Sequence, residues 1–74
     1  MRVRTRNSIF DVSVRNSKFV LKKTGDLTGG RHPVPVGREF VGVSLTLKVG
    51  APNLLWDERG KLIVKSSPIA KVEI

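Results

Sequence analysis

Apolar residues recur at every second position through the first third of the chain: Val3, then Phe10, Val12 and Val14, then Phe19 and Leu21. Period two is the signature of β-strands with one buried face, because successive side chains leave the backbone on opposite sides. Asn7-Ser8 and Asn16-Ser17 separate the three segments. Asn tolerates the left-handed backbone that a two-residue hairpin loop demands, so each pair reads as a tight turn. With Asn7-Ser8 as the loop, Thr5 faces Phe10, Val3 faces Val12 and Met1 faces Val14, while Arg4 faces Asp11 on the other side. With Asn16-Ser17 as the loop, Val14 faces Phe19 and Val12 faces Leu21, while Asp11 faces Lys22. Both turns give one inner face, and a one-residue slip would put the whole apolar set into water. The spacing predicts a meander of strands at about residues 2–6, 9–15 and 18–24. A short phrase, Arg-Asn-Ser-x-Phe, recurs at Arg6 to Phe10 and at Arg15 to Phe19, a repeat of one strand plus its turn.

Between Thr24 and Arg38 the alternation stops, and Gly25, Gly29, Gly30, Pro33, Pro35 and Gly37 crowd together. This predicts a long Gly/Pro-rich loop at about residues 24–38, of a kind that in so small a domain is usually functional or mobile. Alternation resumes after Phe40: Val41, Val43, Leu45, Leu47 and Val49 occupy every second position and predict one strand, ended by Gly50 to Asn53. Glu58-Arg59-Gly60 reads as a three-residue hairpin loop with Gly60 left-handed. That loop sets Asp57 opposite Lys61 as a charge pair, Trp56 opposite Leu62 and Leu54 opposite Val64. Leu55 and Ile63 then fall together on the outer face, either as a second small apolar patch or as a place where the sheet is covered. Ser66-Ser67-Pro68 is expected to break the pairing before Ile69 to Ile74 alternate again.

No window reads as a helix. Residues 1–74 are therefore expected to form a single basic all-β domain, a small five- or six-stranded antiparallel barrel, SH3-like or similar, because closure removes exposed edges. The expected inner set is Val3, Phe10, Val12, Val14, Phe19, Leu21, Val41, Val43, Leu45, Leu47, Trp56, Leu62, Val64 and Val72.

Composition changes this picture in two ways. With no Cys and His32 as its one His, the chain has neither a disulfide nor a metal set to staple a small core, and no cofactor is implied. Absence of Cys points to a reducing, cytoplasmic setting. No apolar run approaches the length of a membrane span, and Met1 to Arg6 lacks the apolar stretch of a signal peptide. Second, fourteen Lys and Arg against six Asp and Glu give a net charge of +8, which attracts polyanions as well as aiding solubility. Catalytic parts are few. His32 falls in the loop, Asp11 reads as the acidic centre of an Arg4–Asp11–Lys22 ladder, and Asp57 as the partner of Lys61. Gly25 to Gly30 lacks the Lys of a phosphate loop, though Gly29-Gly30-Arg31 offers a backbone nest for an anion. The chain is read as a non-catalytic binding module.

The strongest functional signal is the placement of charge. Arg2, Arg4 and Arg6 share one face of the first strand, and in the meander register Arg15, Lys18 and Lys22 share it too, meeting only Asp11. Lys23, Arg31 and Arg38 extend the patch if the loop folds toward it. Such a face suits nucleic-acid phosphate, with Phe40 on the polar parity of its strand as the candidate base-stacking residue and with little sequence readout. The competing reading is a protein-interaction module or small structural subunit, docking on an acidic partner through the loop, the Leu55/Ile63 patch and the basic face.

The opening Arg4-Thr5-Arg6-Asn7-Ser8-Ile9-Phe10 and the closing Ser66-Ser67-Pro68-Ile69 resemble the two ends of small uncharacterised bacterial and phage proteins. Those begin with an Arg-Thr-x-Asn-Ser-x-aromatic stretch and end in Ser-Pro-aliphatic. The resemblance implies no activity.

Overall fold

The alternating segments pair into one antiparallel sheet. The computed structural model describes residues 1–29 and 34–74, so Gly30, Arg31, His32 and Pro33 lie outside the described residues. Its strands are β1 (Arg2–Thr5), β2 (Ser8–Arg15), β3 (Lys18–Asp26), β4 (Glu39–Gly42), β5 (Ser44–Thr46), β6 (Pro52–Trp56) and β7 (Leu62–Glu73). In space their order is β4-β3-β2-β1-β7-β6-β5, a curled sheet of seven strands that forms a half-barrel. The concave side holds the core: Val3, Phe10, Val12, Leu21, Leu55, Val64 and Ile69 are buried there, with Phe19, Phe40, Leu45, Leu47, Ile63 and Val72 packed against them. Among the described residues no helix is long and apolar enough to cross a membrane.

The second turn forms as expected. Asn16 and Ser17 both have left-handed backbones, φ 52° and 62°, and Val14 pairs with Phe19, Val12 with Leu21 and Asp11 with Lys22. The first turn differs. Val3 pairs with Phe10 and Arg2 with Asp11, so the loop is Arg6-Asn7 and Ser8 already belongs to β2. Hydrogen bonds fix the displacement. The Thr5 hydroxyl accepts the Ser8 N–H at 3.0 Å and donates to the Ser8 carbonyl at 3.2 Å, and the Arg6 N–H donates to the Pro68 carbonyl at 2.9 Å. Moving a two-residue loop by one residue changes the pairing by two, so every side chain keeps its face. Val3, Phe10 and Val12 remain inside and Arg2, Arg4 and Asp11 outside. Val14 has the inner parity but lies past the end of the core and is 68% exposed.

The expected loop is shorter than the sequence implies, because β3 continues to Asp26 opposite Ser8. Its return is anchored on Lys23, whose N–H donates to the Arg38 carbonyl at 3.1 Å and whose carbonyl accepts the Gly37 N–H at 2.8 Å.

The single strand expected after Phe40 is two strands. β4 pairs with β3 and β5 pairs with β6, so consecutive segments joined only by Val43 form opposite edges of the sheet. The alternation changes parity at this joint. Phe40 stands opposite Leu21 and Gly42 opposite Phe19, both facing inward, while Leu45 faces inward on β5 opposite Leu55. Val41 and Val43, expected inside, are exposed. Gly42 makes the joint possible: a Cβ there would lie 2.6 Å from the Trp56 carbonyl oxygen and 2.7 Å from Leu55 side-chain atoms.

A bulge similarly inverts the β6–β7 hairpin. Gly60 is left-handed and Trp56 pairs with Leu62 as expected, but Leu55 pairs with Val64, and Leu54 with Lys65. Leu55 is therefore fully buried, Ile63 packs against the core, and Leu62 is exposed. Ser66-Ser67-Pro68 does not break β7. The Ser66 hydroxyl oxygen accepts the Asn53 N–H at 2.9 Å and the Ser67 hydroxyl oxygen accepts the Asn7 N–H at 3.1 Å, so side chains take donors that an irregular stretch would strand.

Candidate functional site

Of the first three strands' charged residues, Arg2, Arg4, Asp11, Arg15, Lys18 and Lys22 lie on the convex face, where β4 and β7 add carboxylates that local alternation does not reveal. Glu73, Arg2, Asp11, Lys22 and Glu39 stand opposite one another across β7, β1, β2, β3 and β4. Their signs alternate along the row. The expected Arg4–Asp11–Lys22 ladder is thus replaced by this longer one, with Arg2 Nε 3.9 Å from an Asp11 carboxylate oxygen. Arg15, two face-rows further along β2, reaches diagonally to Glu39 at 3.2 Å. The line between them crosses above Val20, which is only 2% exposed although it lies on the outer face opposite Ser13 and Val41. The long stems of such side chains shield apolar surface while their charged ends stay in water. Arg2, Asp11, Arg15, Lys22, Glu39 and Glu73 line an open depression of about 630 Å³. The basic face therefore meets Glu39 and Glu73 as well as Asp11.

A different arrangement occurs one row along, over β1 and β7. Arg4 stands directly opposite Lys71. Both reach the same carboxylate oxygen of Glu73, each at 3.7 Å. Arg6 follows in the exposed loop, and Lys65 lies further along β7 on the exposed side opposite Leu54. Among the described residues neither Arg6 nor Lys65 has a carboxylate within 4.0 Å. Lys65 and Lys71 were not legible as site residues, because only the pairing of β7 with β1 brings them there.

The remaining candidates are distributed as follows. Lys18 and Lys22 are exposed on the outer face of β3. Lys23 is not: it faces Phe10 on the inside, is 2% exposed, and its ammonium donates to the Val34 carbonyl at 2.7 Å and pairs with Asp26. Arg38 is exposed, with its guanidinium 5.2 Å from the centre of the Phe40 ring, and Phe40 itself turns inward rather than outward. Arg31, His32 and the Gly29-Gly30-Arg31 nest fall on or across the residues outside the description. Asp57 caps its own turn: one carboxylate oxygen accepts the Arg59 and Lys61 N–H groups, each at 2.9 Å. The Leu55/Ile63 patch does not exist on the surface.

A smaller cavity of about 140 Å³ lies beside Lys23, Ser66 and Ser67. The hydroxyls of Ser66 and Ser67 donate to the Ser67 carbonyl and the Thr5 hydroxyl, so these groups cross-link the fold. Among the described residues no cluster of three or more His, Cys, Asp or Glu side chains gathers. Comparison with known families, with curated proteins and with solved structures gives no match.

Proposed function

We propose that this chain is a non-catalytic binding module that holds nucleic-acid phosphate on the convex face of β1 and β7, through Arg4, Arg6, Lys65 and Lys71. The observation that carries the reading is the direct opposition of Arg4 and Lys71 across the two strands. Like charges so placed are destabilising, and a fold free to choose would alternate them, as the neighbouring row from Glu73 to Glu39 does. A polyanion bound over Arg4, Arg6, Lys65 and Lys71 relieves that repulsion and supplies the counter-charge that Glu73 alone provides in its absence. We read the curled sheet as a small barrel of the SH3-like kind, drawn shut at Val43, whose N–H donates to the Trp56 carbonyl at 2.9 Å. Drawing the edges together leaves this convex face as the broad surface available to a ligand.

The test is a titration against labelled oligonucleotides of unrelated sequence at several salt concentrations. About four phosphate contacts give a slope of log affinity on log salt of roughly −3 to −4. Replacing Arg4, Arg6 and Lys71 together by Ala is expected to weaken binding equally for all sequences, with the circular dichroism of the sheet unchanged. Absence of binding at low ionic strength overturns the reading.

A further inference from the structure

The geometry points to single-stranded nucleic acid as the form held on this face, with Trp56 as the residue on which a base stacks. This rests on the phosphate reading above and adds to it a second kind of contact. Trp56 is the only Trp of the chain. The irregularity between Leu55 and Trp56 sends Leu55 into the core and leaves the ring of Trp56 on the opposite side of β6, partly exposed and apart from the side chains packed against the core. The other aromatics are committed elsewhere: Phe10 is buried, and Phe19 and Phe40 pack against the core.

Position decides what an outward Trp can do here. Leu54 stands opposite Lys65, and Trp56 is the next residue along β6 with the same parity. The ring therefore lies beside one end of the cation track that runs from Lys65 along β7 to Lys71 and Arg4. Its cross-strand neighbours, Ser44 on one side and Leu62 on the other, are both exposed. Lys65 and Lys71 are separated by six residues of strand, roughly 20 Å at about 3.3 Å per residue, enough for a backbone of several nucleotides. In a duplex the base faces are covered by their neighbours, and an aromatic ring beside the phosphates has nothing to stack on. A single strand offers both the phosphates and the open base faces, which is the combination that sequence-tolerant single-strand binders use.

Because Trp56 is the sole Trp, its fluorescence reports the contact directly. The unmodified chain is titrated at low salt with a thymidine homopolymer and with a blunt duplex of equal length. The expected result is quenching of Trp56 emission by the single strand, tighter binding of the single strand than of the duplex, and a loss of about 5- to 100-fold in single-strand affinity on Trp56→Ala. Trp56→Phe keeps a ring and is expected to retain most of the affinity. If Trp56→Ala does not fold, protection of native Trp56 from acrylamide by the bound homopolymer carries the same test, and lack of protection overturns the inference. Equal or tighter binding of the duplex with unchanged emission also overturns it while leaving the phosphate reading in place. Failure of both nucleic acids to bind overturns the two together.

Discussion

The meander β1–β3 and the strands after it carry equally regular alternation, yet only the meander places its side chains where that alternation puts them. In the meander, the two Asn-Ser pairs are used differently: Asn16-Ser17 is a turn with two left-handed residues, whereas Ser8 of the first pair is a strand residue. The first copy lies against β7, where the Thr5, Ser67 and Pro68 contacts select another loop, while the second projects into solvent. The pairing changed by two and the faces survived. In the second half, the joint at Val43 and the bulge beside Trp56 each change the count by one, and Val41, Val43 and Leu62 exchange places with Phe40 and Leu55. Parity is robust to the placement of a turn and fragile to a single irregular residue.

Substitutions can break this contrast, most severely at the joint. Gly42→Val puts carbon atoms against the Trp56 carbonyl, a backbone group that has no rotamer to change, and is expected to cost at least about 3 kcal/mol, read as a large fall in the midpoint of thermal unfolding. Leu55→Ala is expected to lose about 2–5 kcal/mol and Leu62→Ala less than about 1 kcal/mol, as measured by urea unfolding. The reverse order would restore the face that simple alternation assigns. Thr5→Val keeps the side-chain shape but leaves the Ser8 N–H and the Ser67 hydroxyl without their buried partner, and a loss of about 1–3 kcal/mol is expected. The smallest pair tests the two Asn-Ser copies: Ser17→Gly relieves a left-handed residue and is expected to raise stability by about 0.5–1 kcal/mol, while Ser8→Gly lowers it by a similar amount. Melting temperatures that move the same way for both would mean that the copies are equivalent after all.

How far the molecule was legible in its sequence follows the same division. The all-β class, the inner face of β1 to β3 and the turn at Gly60 come from local spacing and are present. The division at Val43 was hidden because the two halves of an odd-numbered apolar series belong to opposite faces, and only the inward Gly42 marked the change. The outward placement of Arg2, Arg4, Arg15, Lys18 and Lys22 was legible, because their parity is local. Glu39, Glu73, Lys65 and Lys71 reach the same surface through pairings between distant segments, which no nearby residue encodes. Lys23 misled because a basic residue on an inner position is normally excluded from a core, and here a backbone carbonyl and Asp26 hold it there.

The pairing of β1 with β7 also gives the fold contacts of long sequence separation. Val3 is completely buried, and the strand that covers it on one side belongs to the far end of the chain. During synthesis β1, β2 and β3 can associate as a local hairpin series, but their apolar side stays open until β6 and β7 have emerged. Contacts of such long sequence separation slow folding toward the millisecond-to-second range and prolong the interval in which an unpaired edge is open to other chains. The surplus positive charge carried by β1 to β3 is in place throughout that interval, and like net charge opposes the association of such edges.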